Sequence, residues 1–250
     1  MGANKTTYNN YKLTYDYHTH TTYSHGKGSI EDNVKAAIEL GLKGIGIADH
    51  GPGHLTYGVK RDNLYVMKKE IEELRVKYPQ IEILMSVEAN IVSVGNNLDV
   101  REDEKWIFDY LIAGYHYGIR NGYCVKNWIN EKIYKGRSDR ELMMNNTKMV
   151  LDALQNNDIK ILTHPGDKAQ FDMREIAITC AATDTLMEIN TWHDHLTKEE
   201  LEIVKKYDVN FAVSSDAHSP ARVGEVREAI KKAFDAGIEP ERIKNIERIY

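Results

Sequence analysis

Short apolar runs alternate with amphipathic stretches along this 250-residue chain, and that alternation limits the folds open to it. The runs are Leu13–Tyr17, Gly44–Ala48, Ile81–Val87, Tyr110–Gly114, Ile159–Thr163, Thr185–Ile189 and Val209–Ser214, each reading as a buried strand. Helical patterns lie between most of them. In the clearest, Ser29 is the cap, Asp32 sits three residues on, Val34, Ala37, Ile38 and Leu40 form the apolar stripe, and Gly41 ends it. Others are expected near Asn63–Lys77, Arg140–Gln155, Asp172–Ala182, Lys198–Tyr207 and Arg222–Ala236. Strands alternating with helices imply a parallel sheet with right-handed crossovers. The expected fold is therefore α/β, a seven-stranded relative of the eight-stranded TIM barrel, with an open doubly wound sheet as the alternative. A chain of this length fits one domain, residues 1–250, of which about 1–12 form a polar N-terminal extension.

Two segments break the rhythm. Asn90–Glu104 reads as a loop or small hairpin. Tyr117–Asp139 reads as a long loop, with Arg120, Lys126, Lys132, Lys135 and Arg137 giving a local positive excess, so that it is either a lid over an anionic substrate or a solvated basic face.

The ends of the apolar runs carry the chemistry. His18-Thr19-His20 and His25 follow the first, and Asp49-His50-Gly51 the second. Glu88-Ala89-Asn90 ends the third, Tyr115-His116 the fourth, His164-Pro165-Gly166 the fifth, and Ser215-Asp216-Ala217-His218 the seventh. Barrels and open parallel sheets place their sites at these carboxyl ends. Residues two apart on a strand share a side, so His18 and His20 can enter one site. Any one of these histidines alone would read as a hydrogen-bonded structural residue. Seven histidines and two carboxylates gathered at six strand ends instead require a cation, because burying so many ionisable groups without one is costly. Imidazole and carboxylate donors without cysteine suit zinc, iron or manganese.

Composition narrows the function classes. A net charge of −5 makes the chain no electrostatic trap for nucleic acid, so no stable nucleic-acid partner is expected. The chain has 2 cysteines, Cys124 and Cys180, far apart and in no CxxC pair, which points to a reducing cytoplasm. No run approaches the ~20 apolar residues that span a bilayer. Gly2 and Thr6 match a loose myristoylation pattern, but without a polybasic neighbour no membrane association is expected.

In their order and wording these motifs resemble the PHP (polymerase and histidinol phosphatase) superfamily, and most closely its small stand-alone bacterial phosphatases. The resemblance runs from Tyr15 to about Ile246. It implies a distorted seven-stranded barrel holding three divalent ions, with His18, His20, His25, His50, Glu88, His116, His164, Asp216 and His218 as ligands. By similarity, His18, His20, Glu88 and Asp216 hold one ion. Glu88 bridges to a second that His116 and His164 share, and His25, His50 and His218 hold the third.

The activity implied is hydrolysis of a small phosphomonoester, histidinol phosphate among the candidates, by a metal-bound hydroxide at the trinuclear site, with Asp216 placing or deprotonating the nucleophile. There is no GxSxG elbow, and neither cysteine sits at a strand end with the histidines. Arg222, His193 and Lys168 are the candidate substrate-binding residues; His195 follows the same strand as His193, and His54 lies on another ligand-bearing loop. The alternatives are a PHP-type 3′–5′ nuclease, an amide or lactone hydrolase, and a non-catalytic metal-binding regulatory or scaffold domain. The leaving group and the oligomeric state stay open at this level.

Overall fold

Each of the seven apolar runs contributes strand. The structure is a computed structural model describing residues 7–135 and 139–249. Gly2 and Thr6 of the acylation pattern and Arg137 of the basic segment lie outside the described residues. A parallel sheet joins β2 (Tyr15–Thr19), β3 (Gly44–Ile47) and β4 (Glu82–Met85). A second parallel sheet runs in chain order through β5 (Glu88–Asn90), β6 (Ile112–Gly114), β7 (Ile161–Leu162), β8 (Leu186–Asn190) and β9 (Phe211–Ser214).

The two sheets meet at both seams, and the seams lie at the carboxyl ends. At one, the Glu88 amide donates to Asp49 O at 3.0 Å and the Gly51 amide to Glu88 O at 2.8 Å. At the other, the His20 amide donates to Ala217 O at 2.8 Å, beside a parallel bridge between Thr19 and Ala217. The third apolar run is thus broken at Ser86–Val87 into β4 and β5, and β5 begins on Glu88. β2 shifts register between Asp16 and Thr19, where His18 lies.

Helices cover the outer faces. α1 (Ile30–Glu39) starts with the expected box, Ser29 and Asp32 each bonding the other's backbone amide, and buries Ile30, Val34 and Ala37. α2 (Arg61–Lys77) buries Leu64, Met67, Ile71 and Leu74, the three-to-four spacing of one helix face. α4 (Arg140–Asn156), α5 (Met173–Ala182), α6 (Lys198–Val204) and α7 (Arg227–Asp235) follow the later strands. A smaller cluster of Ala48, Ile112, Ile161, Leu186 and Ala212, one residue from each of five strand regions, packs with Tyr17 and Tyr110. Gly46 is needed there, since a Cβ would fall 1.8 Å from the Tyr110 hydroxyl, which donates to Tyr17 O.

One detail differs from the sequence reading, and two others fill it in. Tyr117–Asp139 is not a continuous loop, because Cys124–Lys132 forms α3. That helix buries only Asn127, which bonds the Tyr115 hydroxyl and Asn146, so it has no apolar stripe to betray it. Asn90–Glu104 is a small hairpin closed at Ile91 and Leu98, running into a 3-10 turn over Glu102–Ile107. At the N-terminus, β1 (Tyr11–Leu13) pairs antiparallel with β10 (Ile246–Arg248), so polar residues near the start are held by the chain's end.

Candidate metal centre

The strand ends converge on two carboxylates. Glu88 Oε2 lies 2.8 Å from His50 Nδ1, 3.5 Å from His18 Nε2 and 3.7 Å from His20 Nε2. Its Oε1 lies 2.9 Å from His164 Nε2 and 3.1 Å from His116 Nε2, and accepts from the Thr163 hydroxyl at 2.9 Å. Asp216 Oδ1 lies 3.0 Å from His20 Nε2 and 3.5 Å from both His18 Nε2 and His218 Nδ1. His25 joins through its ring, 4.2 Å from His218 and 4.8 Å from His50 between ring centres. All nine sequence-selected residues are therefore in one cluster.

The backbone is bent to bring them there. His164 (φ 26°) and Asp216 (φ 50°) both occupy left-handed backbone, a strain that persists only where surrounding contacts enforce it. Gly114 makes room beside them: a Cβ would fall 2.2 Å from Thr163 Oγ1 and 3.2 Å from Cε1 of both His116 and His164.

A second layer fixes which nitrogen faces inward. His18 Nδ1 donates to Glu188 Oε1 at 2.7 Å, His116 Nδ1 to Asn90 Oδ1 at 2.8 Å, and His218 Nδ1 to Asp216 O at 2.9 Å. A neutral imidazole that donates through one nitrogen presents a lone pair on the other. Asn90 is oriented in turn, its amide donating to Asp99 Oδ2 at 2.6 Å. The inward lone pair of His116 thus faces a carboxylate oxygen of Glu88, two like acceptors that only a cation or a proton between them reconciles.

The electrostatics agree. Burial opposes the charge on Glu88, yet His116, His18 and His50 hold its carboxyl well below the usual carboxylate range. Asp216 is likewise buried and likewise held well down, by His18, His193 and His20. On His18 burial is outweighed by Asp216, Glu88 and Glu188, which pull the imidazole well above its ordinary value. Burial pushes His116 down to about 4, and burial with His50 and His218 does the same to His25.

The donor set fits metal. His20 Nδ1, His50 Nδ1, Glu88 Oε2 and Asp216 Oδ1 are buried without a hydrogen-bond partner, although His50 Nδ1 and Glu88 Oε2 approach closely. Among the described residues, four groups bring three donor atoms each within 4.8 Å of one another: His20, His50 and His218; His18, His20 and Asp216; His50, Glu88 and His116; His164, His193 and Asp216.

The three expected substrate-binding residues lie at different places. His193 is inside the cluster, its Nε2 3.3 Å from Asp216 Oδ2 and its Nδ1 3.1 Å from Asp167 Oδ2. Burial opposes its charge, but Asp167 and Asp216 raise it to about 9. Lys168 pairs with Asp167 at 2.5 Å. The Arg222 guanidinium lies 3.8 Å from the Trp192 ring centre, and its Nε donates to Glu225. Of the more ambiguous histidines, His54 stacks on Tyr57 and His50, while His195 pairs with Glu200.

Sequence reasoning passed over the supporting carboxylates Glu188, Asp16 and Asp99, and named Asp49 only as part of a motif. Glu188 on β8 holds His18, the His164 amide and Asn190 Nδ2. Asp16 anchors Ser215 and the Gly224 amide, Asp49 anchors Thr21 and Ser24, and Asp99 anchors Asn90 and the Gly53 amide. The available signal was an acid embedded in an apolar strand, as in Leu186-Met187-Glu188-Ile189 and Tyr15-Asp16-Tyr17.

Buried imidazoles and carboxylates, oriented by second-layer acceptors at the carboxyl ends of parallel strands, define a metal-binding protein of α/β architecture. The PHP domain family matches residues 16–192, and the chain belongs to it. A probable phosphatase of Thermoanaerobacter sp. strain X514 is 31% identical, the match covering 94% of this chain and 91% of that protein. Among solved structures, the histidinol phosphate phosphatase of Lactococcus lactis, complexed with zinc, L-histidinol and phosphate, superposes with a TM-score of 0.60 at 18% identity, covering 91% of this chain and 95% of the other. The metal-dependent tyrosine phosphatases of Bacillus subtilis and Streptococcus pneumoniae give a TM-score of 0.51 at 16% identity, covering 91% and 89%. The fold is accordingly that of the TIM-barrel-like PHP phosphatases.

Proposed function

We propose that this chain, a metal-dependent phosphoesterase of the PHP family, hydrolyses a small phosphomonoester at a trinuclear centre in a single domain. The observation that carries the reading is the pair of buried oxygens, Glu88 Oε2 and Asp216 Oδ1, left without hydrogen bonds among imidazoles of which His18, His116 and His218 already donate through Nδ1. We read the two sheets and their seams as one distorted seven-position barrel, with β4 and β5 sharing a position. His18, His20, Glu88 and Asp216 are assigned to one ion, Glu88, His116 and His164 to a second, and His25, His50 and His218 to a third. Zinc, iron and manganese all suit this donor set. Divalent ions held there supply an acidified water and neutralise charge on the phosphoryl oxygens.

The chain's own groups do the rest. Asp216 is the residue that positions the attacking water or accepts its proton. Its Oδ1 faces the cluster, while Asn190 Nδ2 donates to Oδ2 at 3.3 Å and holds the carboxylate in place. Lys168 and Arg222 supply positive charge to the phosphate. Neither cysteine serves as nucleophile in this scheme: burial raises the Cys180 thiol, and Cys124 Sγ lies against the carbonyls of His116 and Ile119. Both are free thiols, which suits a cytoplasmic enzyme. Among the described residues no helix is long and apolar enough to cross a membrane.

Histidinol phosphate is one candidate substrate, because the Lactococcus lactis phosphatase is named for it. Related folds also serve tyrosine phosphatases, so the leaving group has to be found by assay. A phosphomonoester panel, histidinol phosphate and phosphotyrosine included, run beside a short single-stranded oligonucleotide, tests the reading. Chelator-sensitive monoester turnover supports it. Oligonucleotide cleavage without monoester turnover would replace it with the nuclease, and a metal-loaded protein inert to every substrate would favour a scaffold role.

A further inference from the structure

β8 is the strand from which the resemblance draws no ligand, yet the loop leaving it delivers an imidazole into the cluster. The ring of His193 lies 4.6 Å from that of His164, and its Nε2 is 3.3 Å from Asp216 Oδ2. These three residues form one of the groups whose donor atoms fall within 4.8 Å of one another. On its other side, Nδ1 lies 3.1 Å from Asp167 Oδ2, an ion-pair contact without hydrogen-bond geometry, on the side of the ring where His18 has Glu188 and His116 has Asn90. The backbone is fixed as well. The amides of Trp192 and His193 donate to Asn190 Oδ1 at 2.6 and 3.0 Å, and Asn190 also reaches Asp216. The His193 side chain is 20% exposed, compared with 34% for Lys168 on the neighbouring loop.

We propose that His193 is a tenth metal donor, its Nε2 joining His164 and Asp216 Oδ2 around one ion, with Asp167 as the carboxylate that orients it. This moves His193 from the substrate-facing role suggested by the sequence to the metal shell. Asp167 lies three residues beyond His164, so one loop carries both a ligand and the group that aims its neighbour. The inference rests on the metal-centre reading and is independent of which phosphoester is cleaved.

The test uses the full chain, wild type beside His193→Ala and Asp167→Asn. Metal content after gel filtration, competition with a chromophoric chelator, and the visible spectrum of cobalt-substituted protein are measured on each, with inhibition by inorganic phosphate as a further readout. His193→Ala is expected to weaken one ion at least about tenfold and to shift the cobalt bands. Asp167→Asn, which leaves the imidazole in place, is expected to weaken the same ion by about 10-fold, at the low end of the effect of losing an orienting partner. Metal content, affinity and cobalt spectrum unchanged in both variants, with weaker phosphate inhibition, would overturn the proposal and return His193 to the substrate. A wild-type protein that binds no metal would instead overturn the metal-centre reading beneath it.

Discussion

Glu188→Gln replaces a carboxylate by an amide of the same shape, and the structure dictates what that does. Glu188 Oε1 accepts from His18 Nδ1 at 2.7 Å, while Oε2 accepts from the His164 amide at 2.8 Å and from Asn190 at 3.0 Å. A glutamine offers one acceptor and one donor in place of two acceptors. With its NH2 toward His18, the imidazole proton must move to Nε2, where it blocks the lone pair that faces Glu88 and Asp216. With its NH2 toward His164, two donors are confronted by a third. Losing such an orienting partner costs about 10- to 100-fold in metal affinity, or about 1.4–2.8 kcal/mol at tenfold per 1.4 kcal/mol. At a fixed metal concentration above saturation that stabilisation is lost from the folded state. For a chain of this size, where each kcal/mol moves Tm by roughly 2–4 °C, the metal-induced rise in Tm should shrink by about 3–11 °C. Thermal unfolding with and without metal, beside chelator competition, measures both quantities. A variant whose affinity stays within twofold and whose metal-induced rise is unchanged would refute the argument that second-layer acceptors select the inward nitrogen.

Three further outcomes follow from the same geometry. Gly114→Ala drives a methyl against Thr163 Oγ1 and the rings of His116 and His164, so overpacking should cost about 1–3 kcal/mol and metal affinity should fall with it; unchanged unfolding and metal binding would count against the close fit. Asp216→Asn should bind metal more weakly and lose most of its turnover even when the metal is restored; full activity at full metal content would remove Asp216 from the reaction. In metal-free protein the fold raises His193 from its ordinary imidazole value to about 9, so the stability it contributes is complete below about pH 6.5 and lost as pH rises through 9. The metal-induced rise in Tm should grow across that window, because ions displace the protons; thermal melts of both forms from pH 6 to 9.5 read the two trends.

Much of this was legible in the sequence because a single periodicity governs it. Apolar runs alternating with amphipathic stretches marked where most of the parallel strands lie, though not the antiparallel pair β1 and β10, and the candidate ligands followed from standing at strand ends. The break in the third run could not be read, since Ser86 and Val87 continue an apolar pattern while the hydrogen bonds transfer between sheets. α3 was hidden for a different reason: it buries Asn127 where an ordinary amphipathic helix buries apolar side chains. Glu188, Asp16 and Asp99 were missed because their roles depend on partners distant in the chain. Asp16, for instance, reaches Ser215 and Gly224 across about two hundred residues. His193 was singled out as a substrate-binding residue, and its position against Asp216 exists only in three dimensions.

The central claim is that this cage of imidazoles and carboxylates holds catalytic metal. Metal per chain should be measured on protein purified without chelator, together with phosphomonoester turnover before chelation, after it, and after each divalent ion is returned. The account predicts two or more ions per chain, turnover that disappears with them, and recovery on adding back zinc, iron or manganese. Less than one tightly bound ion per chain, or turnover that survives complete removal of metal, would contradict it.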